Sequence, residues 1–268
     1  MFKAYGLVGL AVIGAAEAAL FGGVRWVGVY FTPIVWTGYI LFADSLVYHL
    51  KGSSLLTTRR RELKYLLPLS IGCWLIFEYY NLKIQNWYYI GLPEATIPRY
   101  LGYAWAFATI FPGIFETAEV VEASGLFRRA RIRPRSLSKR GLRIILCFGL
   151  GLLLYPILFP NPYIFALVWA GFIFFLGPVN YYYFGESLFR SFERGELEKP
   201  LSLLLAGIIC GFLWEFWNYW AIGKWIYTVP ITAEWKLFEM PAAGYLGFPP
   251  FALECWAMYL TARRLLRF

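Results

Sequence analysis

The segment Gly211 to Tyr227 reads GFLWEFWNYWAIGKWIY and places Glu215 inside an apolar run dense in tryptophan. A stretch of this kind is typical of a membrane helix, where an unpaired carboxylate is costly. Such a residue pairs with a neighbour, stays protonated or has a function, and an ionisable residue within a membrane segment is a functional candidate by default. Glu215 is therefore the first candidate for a functional acid.

A related pattern occurs earlier in the chain, in the segment Gly72 to Tyr89, which reads GCWLIFEYYNLKIQNWYY. Aligning the two segments without a gap superposes Glu78 on Glu215. The alignment also matches other residues, with one extra residue before the last two pairs: Cys73 with Cys210, Asn81 with Asn218, Trp87 with Trp225 and Tyr89 with Tyr227. The recurrence indicates an internal duplication.

The composition predicts a polytopic membrane protein of the all-α class. Of 268 residues, 60% are hydrophobic and 15% are charged, whereas soluble domains average about 45–50% apolar and about 25% charged residues. A membrane span needs roughly 17 to 25 mainly apolar residues. About eight such stretches occur, approximately at 4–22, 29–50, 64–81, 101–122, 143–160, 163–184, 200–220 and 241–262.

The duplication and the spans together predict how the chain is organised. We expect two parallel four-helix membrane repeats, residues 1–123 and 143–268, joined by a basic cytoplasmic linker at 124–142. Because each repeat has an even number of spans, both repeats start on the same side and are related by an axis along the membrane normal. The seam between the repeats is then a natural place for a site.

The net charge of +9 does not indicate a nucleic-acid partner, because the basic residues concentrate in every second connection between spans. The positive-inside rule gives this alternation for a chain with both termini in the cytoplasm. We therefore predict a multi-pass protein of the cell membrane, with membrane lipids as neighbours. The first span has the general form of a signal peptide, but its expected counterpart in the second repeat favours a retained span.

The sequence predicts neither a metal nor a cofactor. The four cysteines show no CxxC spacing, and His49 is the one histidine, so neither a disulfide framework nor a zinc site is indicated. No nucleotide-binding loop or nucleophile triad occurs. Asp44, the one aspartate, lies in the middle of the second span. A functional role, an ion pair with a span-end arginine and a structural hydrogen bond to a neighbouring helix all stay open for it.

Further carboxyl groups recur with the duplication. The segments PGIFE and PFALE place Glu116 and Glu254 inside the fourth span of each repeat. The second repeat adds Glu239, and the glycines and prolines that follow it predict a kinked or re-entrant start of the last span. The candidate catalytic acids are Glu215, Glu239, Glu254, Glu78 and Glu116.

Aromatic and amide side chains accompany these acids. The candidate substrate-binding residues are Trp214, Trp217, Asn218, Trp220, Trp225, Tyr227, Asn81 and Trp87. A carboxyl group in an apolar pocket can act as a general acid, and the faces of aromatic rings stabilise a cation. This combination suits carbocation chemistry on an apolar lipid or isoprenoid substrate.

The second-repeat stretch also carries a family resemblance. Trp214-Glu215, Gly223-Lys224-Trp225-Ile226-Tyr227 and Phe238-Glu239-Met240-Pro241 resemble the membrane-integral lycopene cyclases of the heterodimeric bacterial, archaeal and fungal type. The resemblance implies an acid-catalysed, redox-neutral ring closure, with Glu215 and Glu239 in the acidic motif positions and Trp214, Trp225 and Tyr227 lining the polyene. A looser similarity to sterol-isomerase and sigma-2-receptor-like membrane proteins likewise implies protonation of an alkene.

Two other functions stay open. Parallel repeats with intramembrane acids and broken helices also form proton- or cation-coupled transporters and channels. A non-catalytic lipid-binding or assembly protein is the third interpretation, with the glutamates hydrogen-bonded to Asn81, Asn218 or tyrosine hydroxyls. A homo-oligomer also stays open. Because only the second repeat carries Glu239, we expect the active or binding centre there, with walls completed by the first repeat.

Overall fold

The computed structural model describes residues 1–267 and is nearly all-α. The α-helices are α1 (Ala4–Phe21), α2 (Arg25–Val29), α3 (Phe31–Lys51), α4 (Arg60–Ile84), α5 (Thr96–Ala108), α6 (Ile110–Ser124), α7 (Lys139–Leu158), α8 (Val168–Val179), α9 (Leu188–Arg194), α10 (Glu198–Trp220) and α11 (Phe248–Leu266). Short 3₁₀ turns cover Phe165–Leu167 and Ala242–Gly247, and a π-helical turn covers Asn180–Phe184. The strands are β1 (Trp87–Ile90), β2 (Lys224–Tyr227), β3 (Lys236–Leu237) and β4 (Met240–Pro241).

Five helical segments within the described chain are long and apolar enough to cross a membrane, which is compatible with the predicted class. They are Ala4–Phe21, Thr96–Ser124, Lys139–Leu158, Phe165–Phe184 and Glu198–Trp220. The other three predicted spans coincide with α3, α4 and α11, which are helical but do not reach the same combination of length and apolarity.

The peripheral helices α1 and α7 each pack along one neighbour, α3 and α8 respectively, and leave most of their apolar surface uncovered. Close approach of backbones allows this packing. A Cβ added to Gly9 of α1 would lie 2.4 Å from the carbonyl oxygen of Gly38 in α3, so this crossing depends on small residues, as in many membrane helix pairs. The exposed apolar faces are suited to contact with lipid.

The fourth predicted span, 101–122, is two helices rather than one. Helix α5 ends at Ala108 and α6 begins at Ile110, with Thr109 between them. Pro112 lacks the N–H that would bond to the carbonyl of Ala108, so it weakens the continuation of the helix at this point. The Thr109 hydroxyl bonds back to the carbonyl of Ala106 at 2.6 Å, and the break places Thr109 against the cavity described below.

The approach to α11 is irregular, as the glycines and prolines before it predict. The short β3–β4 pair and the 3₁₀ turn Ala242–Gly247 precede the helix, which starts at Phe248. Pro249 and Pro250 occupy its first turn, where a missing N–H is tolerated.

The two aromatic segments that follow α4 and α10 pair with each other as antiparallel strands. In this pair, Trp87 lies opposite Tyr227 and Tyr89 lies opposite Trp225. The sequence indicated an interfacial belt for these segments and did not predict strands. Their pairing brings together chain segments far apart in sequence and forms one wall of the candidate site.

Candidate functional site

A cavity of about 430 Å³ lies beside the paired strands β1 and β2. Its volume falls in the range of about 300–1,000 Å³ that is usual for small-molecule sites. Six tryptophans line it: Trp36, Trp74, Trp87, Trp169, Trp214 and Trp225. The lining has three charged side chains, Arg99, Glu215 and Lys224. The cavity is therefore an aromatic chamber with one carboxyl group in its wall.

Glu215 is the carboxyl group of this chamber. It lies near the end of α10 and is fully buried. Its Oε1 atom accepts a hydrogen bond from the Tyr227 hydroxyl at 2.8 Å. Its Oε2 atom is buried and has no hydrogen-bond partner among residues 1–267. A buried polar atom without a partner is costly, so this oxygen is the group that a proton or a ligand would satisfy.

Tyr227 and Trp225 form a short hydrogen-bonded relay to Glu215. The indole Nε1 of Trp225 donates to the Tyr227 hydroxyl at 2.8 Å, and that hydroxyl donates in turn to Glu215. Burial, together with the adjacent Glu215 carboxyl, raises the pKa of the Tyr227 phenol well above its usual value. The phenol therefore keeps its proton and acts as a fixed donor.

Glu78, the counterpart of Glu215, has a more complete set of donors. Its Oε1 atom accepts from Trp74 Nε1 at 2.9 Å, Trp87 Nε1 at 3.1 Å and the Tyr89 hydroxyl at 2.5 Å. Burial, and then the neighbouring Glu78, also raise the pKa of the Tyr89 phenol well above its usual value. The Glu78 carboxyl does not line the cavity, but its three donors do. Glu78 thus holds these three aromatic side chains of the wall in place without lining the cavity itself.

One substitution between the duplicated segments explains part of this difference. In the ungapped alignment, Trp74 matches Gly211. A Cβ added to Gly211 would lie 2.3 Å from the ring of Phe248, so the Phe248 ring packs directly against the backbone there. Glu215 consequently has no donor equivalent to Trp74. The first segment thus gives its carboxyl group an indole donor, to Oε1 of Glu78, that the second segment does not give to Glu215.

Asn81 and Asn218 hold the strands rather than line the cavity. The Asn81 amide accepts from the backbone N–H of Trp87 at 3.1 Å and donates to its carbonyl at 2.8 Å. The Asn218 amide makes the same two contacts with Trp225, at 3.0 and 2.9 Å. Neither residue lies on the cavity wall. The structure thus gives both amides a structural role, because each holds the backbone of the tryptophan that follows it.

Two further predicted catalytic acids, Glu116 and Glu254, lie away from the cavity. Glu116 Oε1 accepts from the backbone N–H of Leu55 at 3.3 Å, and Glu254 Oε1 accepts from that of Phe172 at 3.0 Å. Both glutamates are fully buried between helices. The structure does not bring them to the wall beside Glu215, since one carboxyl oxygen of each binds the backbone of another segment.

Glu239 is also outside the cavity lining. It forms an ion pair with Lys224 at 2.6 Å, in a turn between β3 and β4. The structure does not bring Glu239 to the wall beside Glu215, as the sequence prediction of a second acid required. Its charge instead neutralises the lysine that does line the cavity.

The predicted aromatic contacts divide into two groups. Trp214, Trp225, Tyr227 and Trp87 line the cavity. Trp217 packs instead on Trp36 and Tyr39, and its Nε1 lies 3.4 Å from Glu17. Trp220 is 45% exposed and packs against Phe21. These two side chains do not line the cavity, because the helical turn directs both away from it.

Asp44 has a structural environment. Its carboxyl oxygens accept from the Tyr5 hydroxyl at 2.5 Å, the Ser54 hydroxyl at 2.8 Å and the backbone N–H of Leu56 at 2.8 Å. These bonds join α1, α3 and the loop before α4. Of the three interpretations open for Asp44, the structure favours the hydrogen-bonded one.

Several cavity residues were not predicted. Trp169 stacks on Phe77 with ring centroids 5.4 Å apart and meets Phe251 edge-on at 5.1 Å. Trp36 packs against Trp214 at 5.0 Å. These rings come from α3, α8 and α11, and the one available signal was the recurrence of a Trp-x-Gly pattern at Trp36 and Trp169.

Comparisons of the whole chain with protein families, with curated proteins and with solved structures find no match. Within residues 1–267, no group of histidine, cysteine, aspartate and glutamate side chains is arranged to hold a metal ion.

Proposed function

We propose that this protein is an integral-membrane isoprenoid enzyme, a cyclase or isomerase, in which Glu215 protonates a carbon–carbon double bond. One observation carries the proposal. A fully buried carboxyl group on the wall of a tryptophan-lined cavity has one oxygen held by Tyr227 and the other without a partner in the described chain. This arrangement provides a positioned acid in a site that excludes charged and strongly polar ligands over most of its surface.

The reaction requires a proton transfer in each direction. The Glu215 carboxyl gives its proton to one alkene carbon, and the electron pair of the double bond forms the new C–H bond. The carbocation left on the other carbon is stabilised by the faces of the surrounding indole rings. Loss of a proton from an adjacent carbon, after ring closure or directly, restores a double bond and returns a proton to the carboxylate. The reaction is redox-neutral.

Tyr227 supports this cycle by donating to the Glu215 oxygen that does not carry the proton. A hydrogen bond to a charged acceptor is stronger than one to a neutral acceptor. The Tyr227 bond therefore strengthens as Glu215 becomes a carboxylate. This is the kind of interaction that lowers a barrier, because it is stronger in the transition state than in the ground state.

We further propose that the chain crosses the cell membrane eight times, as two parallel four-helix repeats with both termini in the cytoplasm. The strand pair supports the repeat. If Trp87 corresponds to Trp225 and Tyr89 to Tyr227, exchanging the two halves converts the pair Trp87–Tyr227 into Trp225–Tyr89, and both pairs are present. The matched clamps by Asn81 and Asn218 support the same correspondence. In this arrangement the second repeat supplies the acid and the first completes the walls.

The resemblance to lycopene cyclases motivates carotenoid-like polyenes as the first substrates to test. One implication of that resemblance loses support, because Glu239 pairs with Lys224 and does not share the cavity with Glu215. The proposal therefore assigns the acid role to Glu215 alone.

The test is expression of the protein in cells that accumulate lycopene or other polyprenoids, followed by chromatography of pigments and lipids. We expect a new cyclised or isomerised product with the wild-type protein and none with Glu215→Gln. Glu254→Gln is the matched control, since it removes a buried acid outside the cavity. Unchanged products across several substrates with the wild-type protein would remove the proposal.

Proton- or cation-coupled transport is the alternative function for the same cavity. Proteoliposome uptake under a pH gradient, comparing wild type with Glu215→Gln, separates the two functions. Flux that depends on the gradient and is lost in the variant, without any product, would favour transport.

A further inference from the structure

The cavity contains a second chemical feature besides its acid, the guanidinium group of Arg99. Arg99 belongs to the first turn of α5 and is partly buried between the exposed residues Pro98 and Tyr100. Glu215, in contrast, is fully buried. The cavity therefore runs from a cation near its surface to a carboxyl group at depth, with aromatic and aliphatic walls between them.

Arg99 is the cation of the cavity lining without an acidic partner in the described chain. Lys224, the other lining cation, is neutralised by Glu239 at 2.6 Å. Arg99 forms no ion pair with any carboxylate of residues 1–267. Burying a cation is costly unless it is paired, and Arg99 is partly buried, so an anionic group of the ligand would be bound favourably at this position.

The guanidinium group is held in place by the loop that precedes α5. Its Nε donates to the carbonyl of Pro93 at 2.7 Å, and its Nη2 donates to the carbonyl of Glu94 at 2.7 Å. The Nη1 group makes no hydrogen bond to the described residues. Because two backbone carbonyls fix its orientation, Arg99 presents a prepositioned donor and loses little freedom when it binds an anion.

We propose that the ligand of this cavity is an anionic amphipath, a long apolar chain whose phosphate or carboxylate head binds Arg99 while its unsaturated chain extends toward Glu215. This inference rests on the proposed function for the role of Glu215 and adds to it the class of substrate. A neutral hydrocarbon would fill the chamber but leave the Arg99 donor without an acceptor.

The experiment measures head-group preference by binding, without turnover. The protein is placed in nanodiscs of neutral phosphatidylcholine, and its tryptophan fluorescence is titrated with 12-bromododecyl phosphate, 12-bromododecanoate or 12-bromododecanol. Bromine quenches nearby indoles, so ligand in the tryptophan-lined cavity reduces the emission. We expect one or both anions to bind at least roughly tenfold more tightly than the alcohol, as a charge-assisted hydrogen bond predicts. Comparison of the two anions distinguishes a phosphate from a carboxylate head.

Two variants assign the preference to Arg99. Arg99→Gln is expected to bring the anion-to-alcohol ratio close to one, and Arg99→Lys to retain part of it. Arg25→Gln removes an exposed arginine that does not line the cavity, and it is expected to leave the ratio unchanged. An unchanged unfolding temperature shows that each variant is folded.

The outcomes separate the inference from the proposed function. If anion and alcohol quench the wild-type protein equally, or if the preference persists in Arg99→Gln, the inference is overturned and the apolar binding site stands. If no ligand quenches the tryptophans more than its partitioning into the phosphatidylcholine bilayer explains, the cavity does not bind such chains. The proposed function then fails together with the inference.

Discussion

Replacing Tyr227 by phenylalanine isolates the hydrogen bond that positions Glu215. The substitution removes the hydroxyl that donates to Glu215 Oε1 and accepts from Trp225 Nε1, both at 2.8 Å. It leaves the ring that lines the cavity. The Trp225 indole and the Glu215 carboxyl then lose a partner in a buried site, which costs about 1–3 kcal/mol of stability. If the bond to the ionised carboxyl is worth about 1.5–3 kcal/mol in the transition state, product formation falls roughly 10- to 150-fold.

The duplication provides the matched control for this change, Tyr89→Phe. That variant removes the equivalent hydroxyl, but Glu78 keeps the donors Trp74 and Trp87. We expect product formation within about threefold of wild type, since Glu78 does not touch the substrate and loses one donor of three. Product yield per folded protein is measured by chromatography, and folding by thermal unfolding in detergent. The reasoning is refuted if Tyr227→Phe retains full activity, or if Tyr89→Phe reduces activity as strongly.

Three further predictions follow from the same contacts. Asp44→Ala leaves the Tyr5, Ser54 and Leu56 donors without an acceptor. Chemical denaturation should show that the free energy of unfolding falls by about 2–4 kcal/mol, while the product yield per folded protein stays unchanged. A loss of yield without a loss of stability would contradict the structural role. Gly211→Ala forces a Cβ into the Phe248 ring and should lower stability by about 1–3 kcal/mol, whereas an unaltered unfolding temperature would contradict the close packing. Because the folded pKa values of the Tyr89 and Tyr227 phenols are raised, their stabilisation is complete below the unfolded value of about 10 and declines as pH rises above it. Absorbance titration at the tyrosinate band should therefore show at least two fewer phenols ionising near that pH than after unfolding. Ionisation of all phenols there would contradict this prediction.

The duplicated motif made the site partly predictable. The match between the two segments identified Glu215 and Glu78. It also aligned Trp87 with Trp225 and Tyr89 with Tyr227. The length of the apolar segments located the helices, because a membrane helix needs a long hydrophobic run and little else. These features depend on local sequence, which is why they could be read from the chain.

Other features depend on contacts between distant segments. The strands β1 and β2 are four residues each and stabilise each other only after the helices have brought them together. Glu116 and Glu254 recur in the same pattern as Glu215, yet Oε1 of each accepts from the backbone of another segment. Within residues 1–267, Oε2 of all three glutamates lacks a partner, and Glu215 alone of the three lies on the cavity wall. Sequence alone does not show which buried acid faces a cavity. The absence of a Trp74 equivalent at Gly211 is visible in the alignment, but its consequence for Glu215 required the position of Phe248.

The central claim is that Glu215 delivers a proton to carbon, and deuterium incorporation measures that step directly. Purified protein is incubated with its converted polyene in D₂O, and the product is analysed by mass spectrometry. The Glu215 carboxyl exchanges with solvent, so the wild-type product should carry one solvent-derived deuterium on carbon, and Glu215→Gln should form no such product while Glu78→Gln still does. Product that contains no deuterium, or deuterated product from Glu215→Gln, would contradict the claim.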